Sequence, residues 1–189
     1  MTAYHVALYA HILGVLGLFI ALGLEWTSMV RMRRARTVEQ VREWASLHTM
    51  LEKIFPLTAV VIVLAGLYMV NDVWGWSTAW INLSLAGLAV MGGLGPLVNG
   101  RRLGAIQAAA EAAPAGPVPA ALTRQIQDPI LWSTVKMLAV LALGVVYLMA
   151  AKPEAGESVA AIAVALLVGW IWGQPAVKER LLAARQGTA

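Results

Sequence analysis

The sequence predicts an all-α protein: a polytopic transmembrane helix bundle of five spans, a four-helix core plus one, with an amphipathic helix along the inner membrane surface. Three observations predict it. The 189 residues are 60% hydrophobic and only 13% charged, where a soluble domain carries about 25% charged residues. Apolar runs long enough to cross a bilayer recur at about 4–27, 54–73, 80–99, 130–151 and 157–174. The basic residues gather between these runs rather than spreading over a face, which is a topology signal and not a nucleic-acid footprint.

The first run, YHVALYAHILGVLGLFIALGLEW (4–26), has no basic residues before it and no small-residue cleavage site after it. Arginines follow instead, which is a stop-transfer pattern, so it reads as the first span rather than a cleaved leader. Between spans one and two lie Arg31, Arg33, Arg34, Arg36, Arg42 and Lys53. Arg101, Arg102 and Arg124 lie between three and four, and Lys178, Arg180 and Arg185 follow span five. The opposite turns hold little more than Asp72, and Lys152 against Glu154 and Glu157. Twelve of the 14 basic residues therefore fall on one side. Cations accumulate on the cytoplasmic face, so the N-terminus is expected outside and the C-terminus in the cytoplasm of a bacterial inner membrane. Trp26, Trp132, Trp170 and Trp172 mark the inner interface, and Trp74, Trp76 and Trp80 the outer one.

The short outer turns predict antiparallel hairpins of spans two and three and of spans four and five. The chain reads as one integral membrane domain over 1–189, with soluble parts too small for a separate catalytic unit. Residues 104–127 begin as a helical extension and break at Pro114, Gly116, Pro117 and Pro119, which predicts a flexible cytoplasmic linker. Gly92, Gly93, Gly95 and Pro96 predict a kink near the inner end of span three. Gly66 and Gly144 read as packing glycines. There is no cysteine, hence no disulfide, thiolate ligand or CxxC chemistry.

Thr37 with Gln40 fits a capping box. Beyond it, Val38, Val41, Trp44, Ala45, His48, Leu51, Glu52 and Phe55 share one helical face. This predicts a cytoplasmic amphipathic helix over 37–53 that runs into span two, with His48 central on its apolar face and Glu52 one turn on.

In span one, Ala3, Ala7, Ala10, His11, Gly14, Gly17, Leu18, Ala21, Glu25 and Ser28 fall on one face. Small residues let helices approach in lipid, and ionisable side chains avoid it. Both rules turn His11 and Glu25 inward. They lie about 21 Å apart along the axis and so belong to two levels. At the inner level Glu25 gathers with His48, Glu52 and Lys136. A lysine two turns inside span four needs a partner, and Glu25 is named first, Glu52 second. A structural ion pair and an ionisable functional cluster both fit. At the outer level His11 either takes a hydrogen bond from Tyr68, Asn71, Asn82, Ser84 or Tyr147, or serves as an axial ligand to haem b or a copper ligand. Met69 and Met149 are further ligand types, although methionine in a span usually packs. His5, on another face near the surface, reads as an interfacial residue.

HILG (11–14), AGLYM (65–69) and VYLMAAKP (146–153) resemble a family of uncharacterised bacterial integral membrane proteins, distantly similar to copper-resistance protein D and to the HemJ-type protoporphyrinogen oxidase. The resemblance covers about 4–153 and leaves the fifth span as an addition. It implies a first-span histidine at His11 and a later lysine preceded by an aromatic, matched by Trp132 and Lys136. The arginine- and tyrosine-rich surroundings of the HemJ type, and a Met/His-rich copper motif, are not found in this sequence.

Three functions fit these features. The first is a membrane redox protein with haem or copper at His11 and a charged inner site. The second is a permease or ion-translocating protein, and the third a non-catalytic assembly protein. The expected partners are the lipid bilayer and a second copy or another membrane subunit, with no nucleic acid.

Overall fold

The computed structural model describes residues 2–173. Lys178, Arg180, Arg185 and the expected cytoplasmic C-terminus lie outside the described residues. The described chain is all-α, with five helical rods long and apolar enough to cross a membrane. Among the described residues the sole β-type pairing is an isolated bridge between Thr37 and Pro117.

The first rod is α1 (Ala3–Arg34). The amphipathic α2 (Val38–Ala45) follows, capped by the Thr37 side chain, which accepts from the Gln40 backbone N–H. The helix is interrupted only at Ser46, whose backbone stays helical (φ −60°, ψ −25°), and continues as α3 (Leu47–Met69) within one rod. Ser46 Oγ donates to the Glu43 carbonyl at 2.7 Å, which gives that acceptor a side-chain partner at the break. The rod ends in a π-helical turn at Val70–Trp74. Next come α4 (Ala79–Leu94), a π-helical segment at Gly95–Gly100, and α5 (Arg101–Ala112), which together form one continuous rod. The π segment falls where the glycines and Pro96 predict a kink, because proline lacks an N–H and its ring crowds the preceding turn. The short α6 (Ala120–Ile126) leads into α7 (Pro129–Ala151) and then α8 (Ala155–Gly173).

Glycines set the pairings. A Cβ at Gly14 would meet Ile62 at 2.8 Å, and one at Gly17 would meet Thr58 at 2.8 Å, so α1 lies directly against α3. A Cβ at Gly169 would come within 2.7 Å of the Met137 backbone, which seats α8 on α7, and Gly87 does the same for α4 on α7. Two groups result, α1 with α3 and α4 with α7 and α8.

The groups converge at the end of the molecule that carries α2, α5 and α6, called here the basic end. Met29, Val41, Leu103, Ile106, Leu131 and Trp132 form a buried core there. Segment 104–127 is bound to that core, contrary to the flexible linker expected from its prolines. Arg42 Nε donates to the Ala110 carbonyl at 2.7 Å, and its Nη2 donates to the Ala113 carbonyl, so a guanidinium caps the C-terminus of α5. Gly116 has φ +128°, which favours glycine. Its carbonyl accepts from Val38 N at 2.8 Å and its N–H donates to Glu39 Oε1 at 3.1 Å. Composition marks this loop as irregular; the partners that immobilise it come from residues about 75 positions earlier.

Candidate functional site

At the far end the two helix groups stand apart around a cavity of about 570 Å³, walled by α1, α3, α4 and α7 and almost entirely apolar. Leu8, Val15, Leu85, Leu88, Ala142 and Val145 supply typical wall. That volume is in the range of small-molecule and cofactor sites.

His11 enters this cavity from α1. Its Nδ1 lies 2.9 Å from the Ile62 carbonyl oxygen. A carbonyl only accepts, so Nδ1 carries the proton and the Nε2 lone pair is left for another partner. A backbone carbonyl holding one ring nitrogen is the usual support for a histidine that binds metal through the other. Gly66 faces the imidazole: a Cβ there would come into ordinary contact with it, 3.5 Å from both Cε1 and Nδ1 of His11. Met69, Met91 and Met149 line the same cavity.

None of the five side chains expected to bond His11 does so. Asn71 donates to Leu67 O and accepts from Trp76 Nε1, Asn82 donates to Trp76 O, and Ser84 donates to Trp80 O. Tyr68 and Tyr147 are exposed on the bundle surface. The asparagines are drawn to the hairpin because its turn, 70–78, has backbone and indole groups to satisfy. Ser84 still lines the cavity. His5 stays near the N-terminus, within hydrogen-bond distance of Thr2 Oγ1.

The rim of the cavity is aromatic and carries one cation. Trp74 and Trp80 meet edge to face at 5.3 Å between centroids. Lys152 Nζ lies 4.3 Å from the Trp74 ring centroid. Lys152 has φ 49°, the sole positive φ outside glycine among the described residues, and its N–H closes α7 on the Leu148 carbonyl at 2.9 Å.

The inner cluster assembles in part. The Ser28 hydroxyl donates to the Trp44 carbonyl at 2.7 Å, which ties α1 to α2 just before the turn of α3 that carries His48. His48 is buried and packs on Gly104 of α5. Its Nε2 lies 3.2 Å from Glu52 Oε1 but is not aligned for a hydrogen bond, so that contact is electrostatic only. Glu25 is 6% exposed, and no hydrogen bond or ion pair reaches its carboxyl group from the described residues. Lys136 joins neither Glu25 nor Glu52 in an ion pair among the described residues. It donates to the Trp172 carbonyl at 3.1 Å and lies 5.5 Å from that indole. Packing of α8 on α7 brings that carbonyl within reach of the ammonium. Asn99, in the π segment, adds a buried Oδ1 with no partner among the described residues.

Sequence reasoning gave no site role to the Ile62 carbonyl, Lys152 or Asn99, and read Gly66 as a packing glycine without naming its partner. Of these only Gly66 had a legible signal, as a small residue on the helix that pairs with the His11 face. Among the described residues no group of three or more His, Cys, Asp or Glu side chains converges on a metal-sized point.

No curated protein and no solved structure matches the chain. The kinship with copper-resistance protein D and the HemJ-type oxidase therefore gains no support from these comparisons, whereas a family model matches residues 5–153, through α7 and up to the residue that precedes the last helix by two. The chain belongs to the family described as predicted integral membrane protein (DUF2269).

Proposed function

We propose that this integral membrane protein binds haem b in the far-end cavity, with His11 as an axial ligand, and serves a membrane redox role. One observation carries the reading: an imidazole locked by a backbone carbonyl, with its second nitrogen left for a ligand, inside a cavity of cofactor size and apolar lining. Haem suits this site better than copper because it brings four nitrogen ligands of its own. The chain would then provide one imidazole from His11, an apolar slot and soft thioether neighbours in Met69, Met91 and Met149. When bound, the haem supplies one-electron chemistry. His11 would hold it, Gly66 would pack against the imidazole, and the apolar walls would keep water from it.

The test is a visible spectrum of the detergent-purified full chain, as isolated and after titration with haem. Wild type should show a Soret band that His11→Ala loses and His5→Ala keeps. A wild type that takes up no haem overturns the reading.

Ion translocation is a second reading, favoured by the buried Glu25, which has no hydrogen-bond or ion-pair partner among the described residues, and by the buried His48 with its exposed neighbour Glu52. It expects Glu25→Gln to stop proton flux in reconstituted vesicles while leaving the spectrum intact. Equal flux in both proteins removes it.

In the same proposal the basic end is cytoplasmic and the His11 cavity opens toward the outer side of the bacterial inner membrane. A single cysteine at Ala115 should resist labelling from outside intact cells, and one at Ser77 should react. The reverse pattern inverts the orientation.

A further inference from the structure

We infer that Lys152 receives a carboxylate of the bound porphyrin, so that the ligand lies with its acidic edge at the cavity rim and its apolar edge toward the interior. The inference rests on the haem reading for the identity of the ligand, but on different residues.

Four observations converge on Lys152. First, it lines the same cavity as His11. Among the lining residues it is the one lysine or arginine, at a rim that also carries Trp74, Trp80, Tyr4 and Met149. Second, its ammonium is held in place: Nζ sits 4.3 Å from the Trp74 ring centroid, and Trp74 is in turn braced by Trp80. An indole face occupies one side of the ammonium and leaves donors for another group. Third, no carboxylate of this chain forms an ion pair with it among the described residues, although Glu154 and Glu157 follow within a few positions. Fourth, the backbone at Lys152 is left-handed, with φ 49°. This helix-ending position suits glycine, and a side chain there costs about 1 kcal/mol. A glycine would serve the fold alone better, so a lysine at this point is explained by what its side chain does.

The spacing suits a porphyrin. His11 packs on Gly66 and Lys152 packs on Trp74. Eight residues of helix separate Gly66 from Trp74, about 12 Å along the axis. The radius of the macrocycle, one propionate arm and a hydrogen bond to the ammonium together span such a distance. Haem carries both its acidic arms on one edge. With iron at His11, turning that edge to the rim lets one carboxylate meet the ammonium, a charge-assisted contact in apolar surroundings. The opposite, hydrocarbon edge then faces Leu85, Leu88 and Ala142. The reverse orientation would bury both carboxylates among aliphatic side chains, which carries a large desolvation cost.

The experiment titrates the full chain in detergent with haem, with iron-free protoporphyrin IX and with protoporphyrin IX dimethyl ester, following porphyrin fluorescence and absorbance. Wild type should bind the free acid about tenfold more tightly than the ester, the effect of one charge-assisted hydrogen bond. Lys152→Met should lose that preference, and Lys152→Arg should keep it. Lys152→Gly should also lose it while unfolding at the same or a higher denaturant concentration, which separates binding from folding. His11→Ala should retain the acid-over-ester preference and lose only the iron-dependent Soret shift. Equal affinity of wild type for acid and ester, or an unchanged preference in Lys152→Gly, overturns the inference. A Soret band indifferent to His11→Ala, with the preference intact, instead overturns the axial-ligand reading and leaves Lys152 standing. A wild type that binds none of the three overturns both.

Discussion

The two ends of the molecule solve opposite problems with the same helices. At the basic end, α1, α5, α6 and α7 close on one another until Met29, Ile106 and Leu131 are each 1% exposed, and α2 seals the group from the side. At the far end the same α1 and α7 diverge around a cavity of about 570 Å³. Three short elements make the difference. α2, α5 and α6 supply side chains that fill the basic end, and among the described residues no equivalent elements lie beyond the turns at 75–78 and 152–154. In lipid the hydrophobic effect gives apolar helices little reason to close a gap, so a cavity between two glycine-paired groups persists unless side chains fill it. The packed end frames the open one.

The largest effect should come from loosening the packed end. Trp132 is buried, meets Trp26 edge to face at 5.6 Å between centroids, lies under the Arg33 guanidinium at 5.2 Å, and donates from Nε1 to the Ile126 carbonyl at 2.8 Å. Trp132→Ala is expected to cost about 3–5 kcal/mol of stability, from the lost volume and a stranded carbonyl. Chemical unfolding in detergent measures it. If the ends are separable, haem bound per folded molecule stays near the wild-type value, and a parallel loss of haem shows instead that the basic end shapes the cavity.

Arg42→Ala comes next. It removes the charged cap from α5, and the expected loss is about 2 kcal/mol, the effect of hydrogen bonds to a charged group. Because Arg42 holds the segment with Pro114 and Pro117, proteolysis within 113–119 should rise well before global unfolding. A loop that stays resistant would mean that Gly116 and its backbone bonds suffice.

A cleft substitution should invert that ratio of stability to function. Gly66→Leu crowds the imidazole, since even a Cβ reaches ordinary contact with His11 at 3.5 Å. Overpacking there is expected to cost only about 1 kcal/mol, while haem content falls severalfold because the ring is displaced from its carbonyl. Full haem content in this variant would break the link between Gly66 and His11.

The smallest effect belongs to the ion pair joining α5 to the head of α7. Arg102 Nε donates to Asp128 Oδ2 at 2.7 Å, with both side chains about a third exposed. Asp128 Oδ1 also accepts from Ile130 N, capping α7. Asp128→Asn keeps that cap and loses the charge, so about 0.5 kcal/mol should be lost, and less in high salt. A loss above that of Arg42→Ala would mark this pair as the true clasp of the basic end.

Much of this architecture was legible before any coordinates. Hydropathy, the arginines at 31–36 and the small-residue face of the first span are local properties of the chain. They determine the class, the five rods and the inward face that carries His11 and Glu25, because helix period and lipid exclusion act on each span alone. The interruption near Pro96 was legible for the same reason. What only the tertiary structure decided is which groups meet. Lys136 bonds to the Trp172 carbonyl of α8 rather than to Glu25, because packing α8 on α7 brings that carbonyl within reach of the ammonium. The segment with Pro114 is held by Arg42 and Glu39, whose side chains reach it only once α2 has folded against α5. His11 is fixed by a main-chain carbonyl, an acceptor that every residue carries and that no sequence pattern distinguishes. Lys152 reads in the sequence as one cation in a turn, and becomes the charged rim of a cavity only because α3 and α7 end side by side.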